Sequence, residues 1–255
     1  MELSLDWLPQ TAFHFMLIFA RVGAMLMLMP ALGENLIPAR LRLAFALMLS
    51  LVFLPLMVQY LPTGQFELFG ALALLLHELA IGLILGAIGR MIVTATQTAG
   101  ATIAFQMGLS MAQTADPTAE GVQGAIIGNF LTIVALAMVF AMDLHHLVLA
   151  AIHDSYVIYP PDMPLMFEDA MMLALSSLTG AFNIGVQMAA PFIVFGLVFY
   201  LGLGLLARLM PQLQVFFIAM PANIAVGLIL FAILITSTLG WYIARFEDHF
   251  LMLLG

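Results

Sequence analysis

Long runs of apolar residues alternate along the chain with short polar stretches. Each run approaches the ~20 residues that a helix needs to cross about 30 Å of hydrocarbon. The pattern predicts an all-α integral membrane protein with about six long apolar helices or hairpins. The predicted helices cover residues 11–29, 41–61, 68–89, 125–142, 170–207 and 209–244.

The last two runs are longer than a bilayer is thick. Residues 170–207 contain no charged side chain, and a straight helix of that length would measure about 57 Å at a rise of 1.5 Å per residue. Proline removes a backbone donor and clashes with the preceding helical turn. We therefore expect a break at Pro191 in the first of these runs and breaks at Pro211 and Pro221 in the second.

A weakly hydrophobic stretch, residues 94–124, separates the third run from the fourth. Its middle part is QMGLSMAQTADP, residues 106–117, which we call the central segment. Non-helical backbone is tolerated at membrane depth only where protein buries it or where it lines a watery cavity. The central segment is therefore expected either to leave the bilayer as a surface loop or to lie in a pore.

The side chains of the central segment suit a reversible seal. Met107 and Met111 are flexible and apolar, so they can fill a constriction, and Gly108 permits a turn. The amides and the serine hydroxyl can form hydrogen bonds in more than one conformation, and Asp116 before Pro117 is typical of a turn. The candidate gate residues are Gln106, Met107, Gly108, Leu109, Ser110, Met111, Ala112, Gln113, Asp116 and Pro117.

Composition places the chain in a membrane and excludes several functions. The chain is 64% hydrophobic and 8% charged, with a mean hydropathy of +1.15, which is typical of membrane proteins. Its net charge is −8 and its 6 basic residues are all arginines. Nucleic acid is not expected as a partner, because phosphate binding needs clustered basic residues. The absence of cysteine excludes disulfides and thiolate metal sites.

The N-terminus, MELSLDWLPQ, is acidic and lacks the basic region of a signal peptide. We therefore expect the first apolar run to be retained as a helix.

The arginines suggest an orientation in the membrane. They follow the first, third and fifth runs, whereas the connections after the second and fourth runs are acidic. The positive-inside rule then favours an extracytoplasmic N-terminus and six crossings. Arg245 contradicts this count, because it would lie outside. The arginines that support the count are Arg40, Arg42, Arg90 and Arg208, and the acidic connections are residues 61–67 and 143–169.

Two glycine pairs mark candidate helix contacts. Gly82 and Gly86 form GLILG, and Gly124 and Gly128 form GAIIG. The GxxxG spacing lets helix backbones approach closely in lipid, where no hydrophobic force drives helices together. Ordinary helix packing is the simplest interpretation of both pairs.

Two charged residues lie within predicted helices. Glu78, beside His77, is in the middle of the third run, where an unpaired charge is expensive. It is either a gating or proton-relay carboxylate, or a protonated or paired residue that joins two helices. Arg21 lies in the first run, and we expect it to pair with an acid on a neighbouring subunit.

Histidines and aspartates cluster after the fourth run. His146 and His153 are seven residues apart and so share nearly the same face of a helix. The spacing matches no zinc motif, and the acidic, proline-rich continuation YPPDMPLMFED favours an interfacial loop. No metal or other cofactor is predicted, and no catalytic motif is present, so the chain is not expected to be an enzyme. The cluster comprises Asp143, His145, His146, His153 and Asp154.

Four stretches together resemble the FliR family of flagellar export proteins and its counterparts in virulence type III secretion. The resemblance spans nearly the whole chain, and the last of the four stretches is the most specific. The stretches are RVGAMLMLMPALGENLIPARLR at 21–42, HELAIGLILG at 77–86, AGATIAFQMGLSMAQTADP at 99–117 and RLMPQLQVFFIAMPANIAVG at 208–227.

The resemblance implies a subunit of an export gate in the bacterial inner membrane, at the flagellar basal body. FliP and FliQ are the implied partners in a hetero-oligomer, with FlhB and FlhA nearby, and unfolded flagellar subunits are the cargo. Residues 1–169 would then be the FliP-like part with the pore loop, and residues 170–255 a FliQ-like helical hairpin. The family's pore plug maps onto the central segment. The residues assigned to subunit packing are Arg21, Glu78, Gly82, Gly86, Gly124, Gly128, Arg208, Pro211, Gln212, Phe216 and Pro221.

One departure from the family concerns the C-terminal sequence FEDHFLMLLG, which has no long basic tail. A role for such a tail in holding FlhB is therefore in doubt. Two alternatives to the flagellar gate remain open: the virulence-secretion counterpart, and a self-sufficient secondary transporter or ion channel with broken helices around a midplane site. A transporter should purify alone, whereas a gate subunit should be extracted with small apolar partners.

Overall fold

The computed structural model describes residues 8–30, 33, 37–63, 67–109, 125–163, 167–212 and 214–254. Within these residues the chain is entirely α-helical apart from turns and one short 3-10 helix at Val58–Tyr60, and no strand is present. The α-helices are α1 Leu8–Leu28, α2 Ala39–Met57, α3 Leu68–Gln106, α4 Ala125–Ala141, α5 His145–Ile158, α6 Phe167–Leu209 and α7 Val215–Leu254. The predicted fold class is confirmed.

Five helices are long and apolar enough to cross a membrane. A sixth span results if α4 and α5 are counted together as one broken span. The corner between them contains Asp143, whose φ of 58° lies in the left-handed region. The chain is therefore an integral membrane protein with five or six candidate spans among the described residues.

The expected breaks at two prolines are wrong. α6 continues through Pro191 and α7 continues through Pro221, because a proline inside a transmembrane helix removes only one hydrogen bond, which local adjustment can replace. Pro211 does lie outside helix, in the short connection between α6 and α7. A helix commonly ends shortly before a proline, which cannot continue it.

Two further segments are more helical than their polarity suggests. α3 does not end near residue 89 but extends to Gln106. Its threonines remain compatible with helix because their hydroxyls donate to backbone carbonyls one turn earlier, as from Thr98 to Thr94 O at 3.0 Å and from Thr102 to Thr98 O at 2.9 Å. The expected interfacial loop after residue 143 is also largely helical, since it forms α5.

The chain divides into two compact units. The first unit comprises Met1–Met91, Asp143–Leu178 and Asp248–Gly255. In it, α1 lies against the first half of α3, and the two helices run parallel, because Gly82 faces Arg21 and Ala24 while Gly86 faces Met25 and Leu28. Buried Leu17, Ile18, Met25 and Ile88 are among the apolar side chains of its core.

The second unit comprises Ile92–Met142 and Thr179–Glu247. Here the second half of α3 packs against three helices. Gly100 meets Gly128 of α4, Ala95 meets Gly185 of α6, and the Tyr242 hydroxyl of α7 donates to Ile92 O at 3.2 Å.

α6 and α7 pack against each other as an antiparallel hairpin within the second unit, because Phe192 and Phe231, far from the connecting turn in both helices, have ring centroids 6.1 Å apart. The division into a FliP-like part at 1–169 and a FliQ-like part at 170–255 stays a prediction.

Candidate functional site

The central segment begins at the last residue of α3. Gln106 is helical, and Met107 and Gly108 form a turn, with Gly108 at φ 76°. Met107 is completely buried and Leu109 is half-buried. The other candidate gate residues, Ser110, Met111, Ala112, Gln113, Asp116 and Pro117, lie outside the described residues.

Glycines of α6 and α7 make room for the end of α3. A methyl group placed on Gly196 would overlap the side-chain oxygen of Gln106, and one placed on Gly227 would lie 2.6 Å from Met107 Cγ. A side chain at Gly108 would lie 2.9 Å from Asn223 Nδ2. The start of the central segment therefore fits against its neighbours only because glycine occupies these positions.

Asn223 adds a polar contact at the same place. It lies in α7, is 3% exposed, and donates from Nδ2 to the backbone oxygen of Gln106 at 3.3 Å. The sequence pattern predicted no role for Asn223, Gly196 or Gly227. Asn223 and Gly227 do occur in the stretch at 208–227 that carried the most specific resemblance, and that was the one available signal.

A polar row joins α3 to α4 within the second unit. The hydroxyls of Thr96 and Thr132 are 2.7 Å apart, and Gln97 Nε2 donates to Thr132 Oγ1 at 2.8 Å. Gly128 faces this row, because a methyl group there would lie 2.7 Å from Gln97 Oε1. Gly128 therefore packs α4 on α3 within the chain, whereas Gly124, its partner in the GxxxG pair, lies outside the described residues.

The first unit contains a buried polar group that we call the arginine cluster: Arg21, Glu78, Ser155, Tyr156 and Tyr159. Arg21 and Glu78 form a two-pronged ion pair, with Nε to Oε2 at 2.7 Å and Nη2 to Oε1 at 2.8 Å. Both side chains are completely buried. The two parallel hydrogen bonds of such a pair are charge-assisted and fix its geometry.

The other residues of the arginine cluster supply hydrogen-bond acceptors and a ring contact for the Arg21 guanidinium. Nη1 of Arg21 donates to Ser155 O at 2.7 Å, and Nη2 donates to Tyr159 O at 2.8 Å. The Tyr156 ring lies 4.0 Å from the guanidinium carbon, a cation–π distance. The Arg21 side chain of α1 thereby contacts both α3 and the C-terminal end of α5.

The arginine cluster corrects the expectation for Arg21. Its acid is Glu78 of the same chain and not an acid on a neighbouring subunit. The residues are 57 positions apart, so sequence proximity could not reveal the pair. The contacts of Glu78 favour the interpretation as a paired residue that joins two helices. His77, next to it, has Nδ1 3.9 Å from Glu78 Oε1.

The Gly82 and Gly86 face is also used within the chain. A methyl group at Gly82 would overlap the Arg21 carbonyl oxygen, and one at Gly86 would lie 2.9 Å from Leu28 Cβ. Both glycines thus pack α3 on α1, in agreement with ordinary helix packing, and their role in subunit packing stays a prediction.

The remaining packing candidates lie around the connection between α6 and α7. Arg208 is in the last turn of α6, Pro211 and Gln212 are in the connection, and all three are exposed. Phe216 and Pro221 belong to the start of α7, and Pro221 is exposed. Their role in subunit packing stays a prediction.

The histidine cluster lies at the bend between α4 and α5. Three possible metal-ligand atoms lie within 4.8 Å of one another, one from each of Asp143, His145 and His146. His146 Nδ1 is 3.1 Å from Asp143 O, and His153 Nδ1 is 2.7 Å from Asp154 Oδ1. The sequence brings these groups together simply because they are near neighbours, and the expectation of no metal stays a prediction.

Comparison with known proteins gives one family and several relatives. Residues 12–249 match the family described as Bacterial export proteins, family 1. Flagellar biosynthetic protein FliR of Caulobacter vibrioides is 42% identical over 232 residues, which cover 91% of this chain and 92% of the relative. The proteins of the same name from Bacillus subtilis and Escherichia coli are 33% and 30% identical, covering 85% and 96% of this chain and 83% and 91% of the relatives.

Proposed function

The chain belongs to family 1 of the bacterial export proteins, and from this premise we propose that it is a membrane-embedded subunit of the flagellar export apparatus. One observation carries the proposal. The similarity to relatives named flagellar biosynthetic protein FliR covers more than nine tenths of both chains in the case of Caulobacter vibrioides.

The exposed apolar surface is consistent with a subunit of a larger membrane complex. In the most apolar part of the α7 span only 11% is buried, and in the most apolar part of the α6 span 22% is buried. Exposed side chains on this hairpin include Leu197, Leu201, Ile229 and Ile233. We propose that FliP and FliQ cover part of this surface in a hetero-oligomeric gate, with FlhB and FlhA as further partners.

We further propose that the central segment forms part of a gate for unfolded flagellar subunits. Support comes from its methionine-rich chemistry and from its start, where Gln106 lies against Gly196 of α6 and the buried Met107 lies against Gly227 of α7. A polar segment that begins among packed helices is tolerated only beside protein or water.

The mass of the intact detergent-extracted particle tests the proposal that the chain is a subunit. We expect a hetero-oligomer with small apolar partner chains when the chain is purified from its own membranes. A particle that contains only the 27.7 kDa chain would favour the transporter or channel alternative.

Deleting residues 110–113 tests the gate. The deletion leaves Gln106, Met107 and Gly108 in place, so we expect normal assembly and a several-fold rise in the ion conductance of the purified complex in planar bilayers. Complex yield, measured on the same preparation, is the control. An assembled deletion complex with unchanged conductance would exclude a sealing role for the segment.

A further inference from the structure

A groove opens between the end of α1 and the start of α2, within the first unit. Its volume is about 370 Å³, at the lower end of the range for ligand pockets. The groove is almost entirely apolar, and Arg42 is the one charged side chain among its lining residues. The lining includes Leu26 of α1, Ile37 just before α2, and Leu41, Arg42, Phe45 and Met48 of α2.

The apolar side chains that α2 contributes to the groove are exposed. Leu41, Phe45 and Met48 are 61%, 43% and 69% exposed. Their spacing of four and three residues places them in one row along the helix. Because the chain is an integral membrane protein, the hydrocarbon chains of lipids are the apolar molecules that surround such a row.

The guanidinium of Arg42 is only partly satisfied by the protein. Nη1 donates to Gly33 O at 3.2 Å, and a backbone carbonyl does not neutralise the charge. Nε is buried and has no hydrogen-bond partner among the described residues. A buried donor without an acceptor is costly, so a bound group that supplies an acceptor is expected beside Arg42.

The N-terminal end of α2 adds to the positive potential at this place. Pro38 precedes the helix, and no side chain caps it. The first N–H groups of a helix lack partners within the helix and favour an anion. Arg40 is exposed in the first turn. Two arginines and a helix N-terminus therefore meet at the same end of an apolar groove.

We propose that this groove binds an anionic phospholipid: one acyl chain lies along Leu41, Phe45 and Met48, and Arg42 and the N-terminus of α2 hold the phosphate. Charge complementarity argues for this occupant, because a cation at one end of an apolar groove matches an anion at one end of an apolar chain. The positive-inside rule predicts the cytoplasmic side for the arginines, the side on which basic pockets bind anionic head groups. The site goes beyond the export function and does not depend on it.

Native mass spectrometry of the complex extracted from its own membranes tests the site. Phosphatidylglycerol and phosphatidylcholine with the same acyl chains are added back separately to delipidated complex. We expect one more phosphatidylglycerol than phosphatidylcholine to be retained per copy of this chain. Arg42→Gln should raise the dissociation constant for this phosphatidylglycerol about five-fold, the factor expected for one basic residue near anionic lipid. Arg245→Gln, which changes an exposed arginine of α7, is the control and should have no effect.

Ala44→Phe tests the groove separately from the charge. Ala44 lines the groove and is exposed, so a phenyl ring there should take the place of the acyl chain without disturbing the packing of α2. We expect the extra phosphatidylglycerol to be lost and the yield of complex to be unchanged. Val52→Phe is the matched control, because Val52 is 63% exposed on the same helix and does not line the groove.

Each of three results would overturn the proposal. Equal retention of the two lipids, unaffected by Arg42→Gln, would mean that the arginine does not recognise a head group. Displacement of phosphatidylglycerol by millimolar inorganic phosphate would identify a site for free phosphate. Loss of complex with Ala44→Phe, but not with Val52→Phe, would mean that a partner subunit fills the groove. If Arg42→Gln fails to assemble, the two phenylalanine variants and the comparison of lipids on the unmodified complex decide.

Discussion

Arg21 and Glu78 are both fully removed from solvent, and each is the only charged partner of the other among the described residues of the arginine cluster. An ion pair in this position gives little net stability, because removing two charges from water is expensive. Its value lies in specificity. Only one arrangement of α1 and α3 satisfies both groups, so the pair fixes how the two helices meet.

Glu78→Gln should strongly destabilise the chain. The substitution would leave Arg21 with a buried charge and without its carboxylate partner. We expect a loss of about 3–5 kcal/mol, seen as a lower unfolding temperature in detergent.

Two variants control this experiment. Glu67→Gln changes an exposed carboxylate just before α3 and should alter the free energy of unfolding by less than about 0.5 kcal/mol. Arg21→Met combined with Glu78→Leu removes both charges and should recover part of the loss. A Glu78→Gln protein as stable as the Glu67→Gln protein would show that the pair has no structural role.

At the scale of the helices, α3 is the element around which both units are built. Its first half meets α1 through Gly82 and Gly86, and its second half meets α4 through Gly100. Lipid supplies no hydrophobic force between helices, so close backbone approach and polar contacts must hold them together. Glycine is suited to α3 because the neighbouring backbones leave no room for a side chain.

The same substitution should have opposite effects on two helix glycines. Gly82→Ala would push a methyl group into Arg21 O and to 2.9 Å from Ala24 Cβ, and overpacking of this kind costs about 1–3 kcal/mol. Gly204 on α6 has nothing within 4 Å of an added methyl group. There, Gly204→Ala should raise stability by up to about 1 kcal/mol, because alanine is the better helix former.

Thermal unfolding of the two alanine variants in one detergent measures this difference. Equal effects at both positions would mean that the close contact between α1 and α3 does not contribute to stability.

For the whole molecule, the helix bounds change the premises of the positive-inside argument. α3 continues through Arg90 to Gln106, so Arg90 lies within a helix and does not follow it. Arg40, Arg42 and Arg208 lie at helix ends, where the rule still counts them, but Arg245 near the end of α7 still counts against six crossings. The six-crossing topology stays a prediction.

Single cysteines can test the resulting topology, because the chain has no cysteine of its own. Asp162 and Gln212 are exposed residues on either side of α6. We expect a membrane-impermeant maleimide to label Asp162→Cys from the extracytoplasmic side and Gln212→Cys from the cytoplasmic side, next to Arg208.

Ala46→Cys is the control for labelling, because Ala46 is completely buried and should react from neither side. Labelling of both exposed positions from the same side would mean that α6 does not cross the membrane.

Much of the site was predictable from local pattern, and some of it was not. The central segment could be identified because polar residues interrupt an apolar sequence, and Glu78 because a carboxylate among apolar residues needs a partner. The polarity of the threonines after residue 94 was misleading, since their hydroxyls bond to the preceding helical turn and α3 continues. Asn223 could not be found in this way, because an asparagine in a helix gives no sign of what it contacts.

The sequence by itself determined that this is a membrane protein of long helices, since hydropathy is a property of neighbouring residues along the chain. It also determined the position of its unusual central segment. Only the tertiary structure decided that Glu78 pairs with Arg21 and that the Gly82 face is filled by α1. It also brought Asn223 to the end of α3, a contact between residues 117 positions apart. Such pairings depend on distances through space, which the order of residues along one helix does not contain.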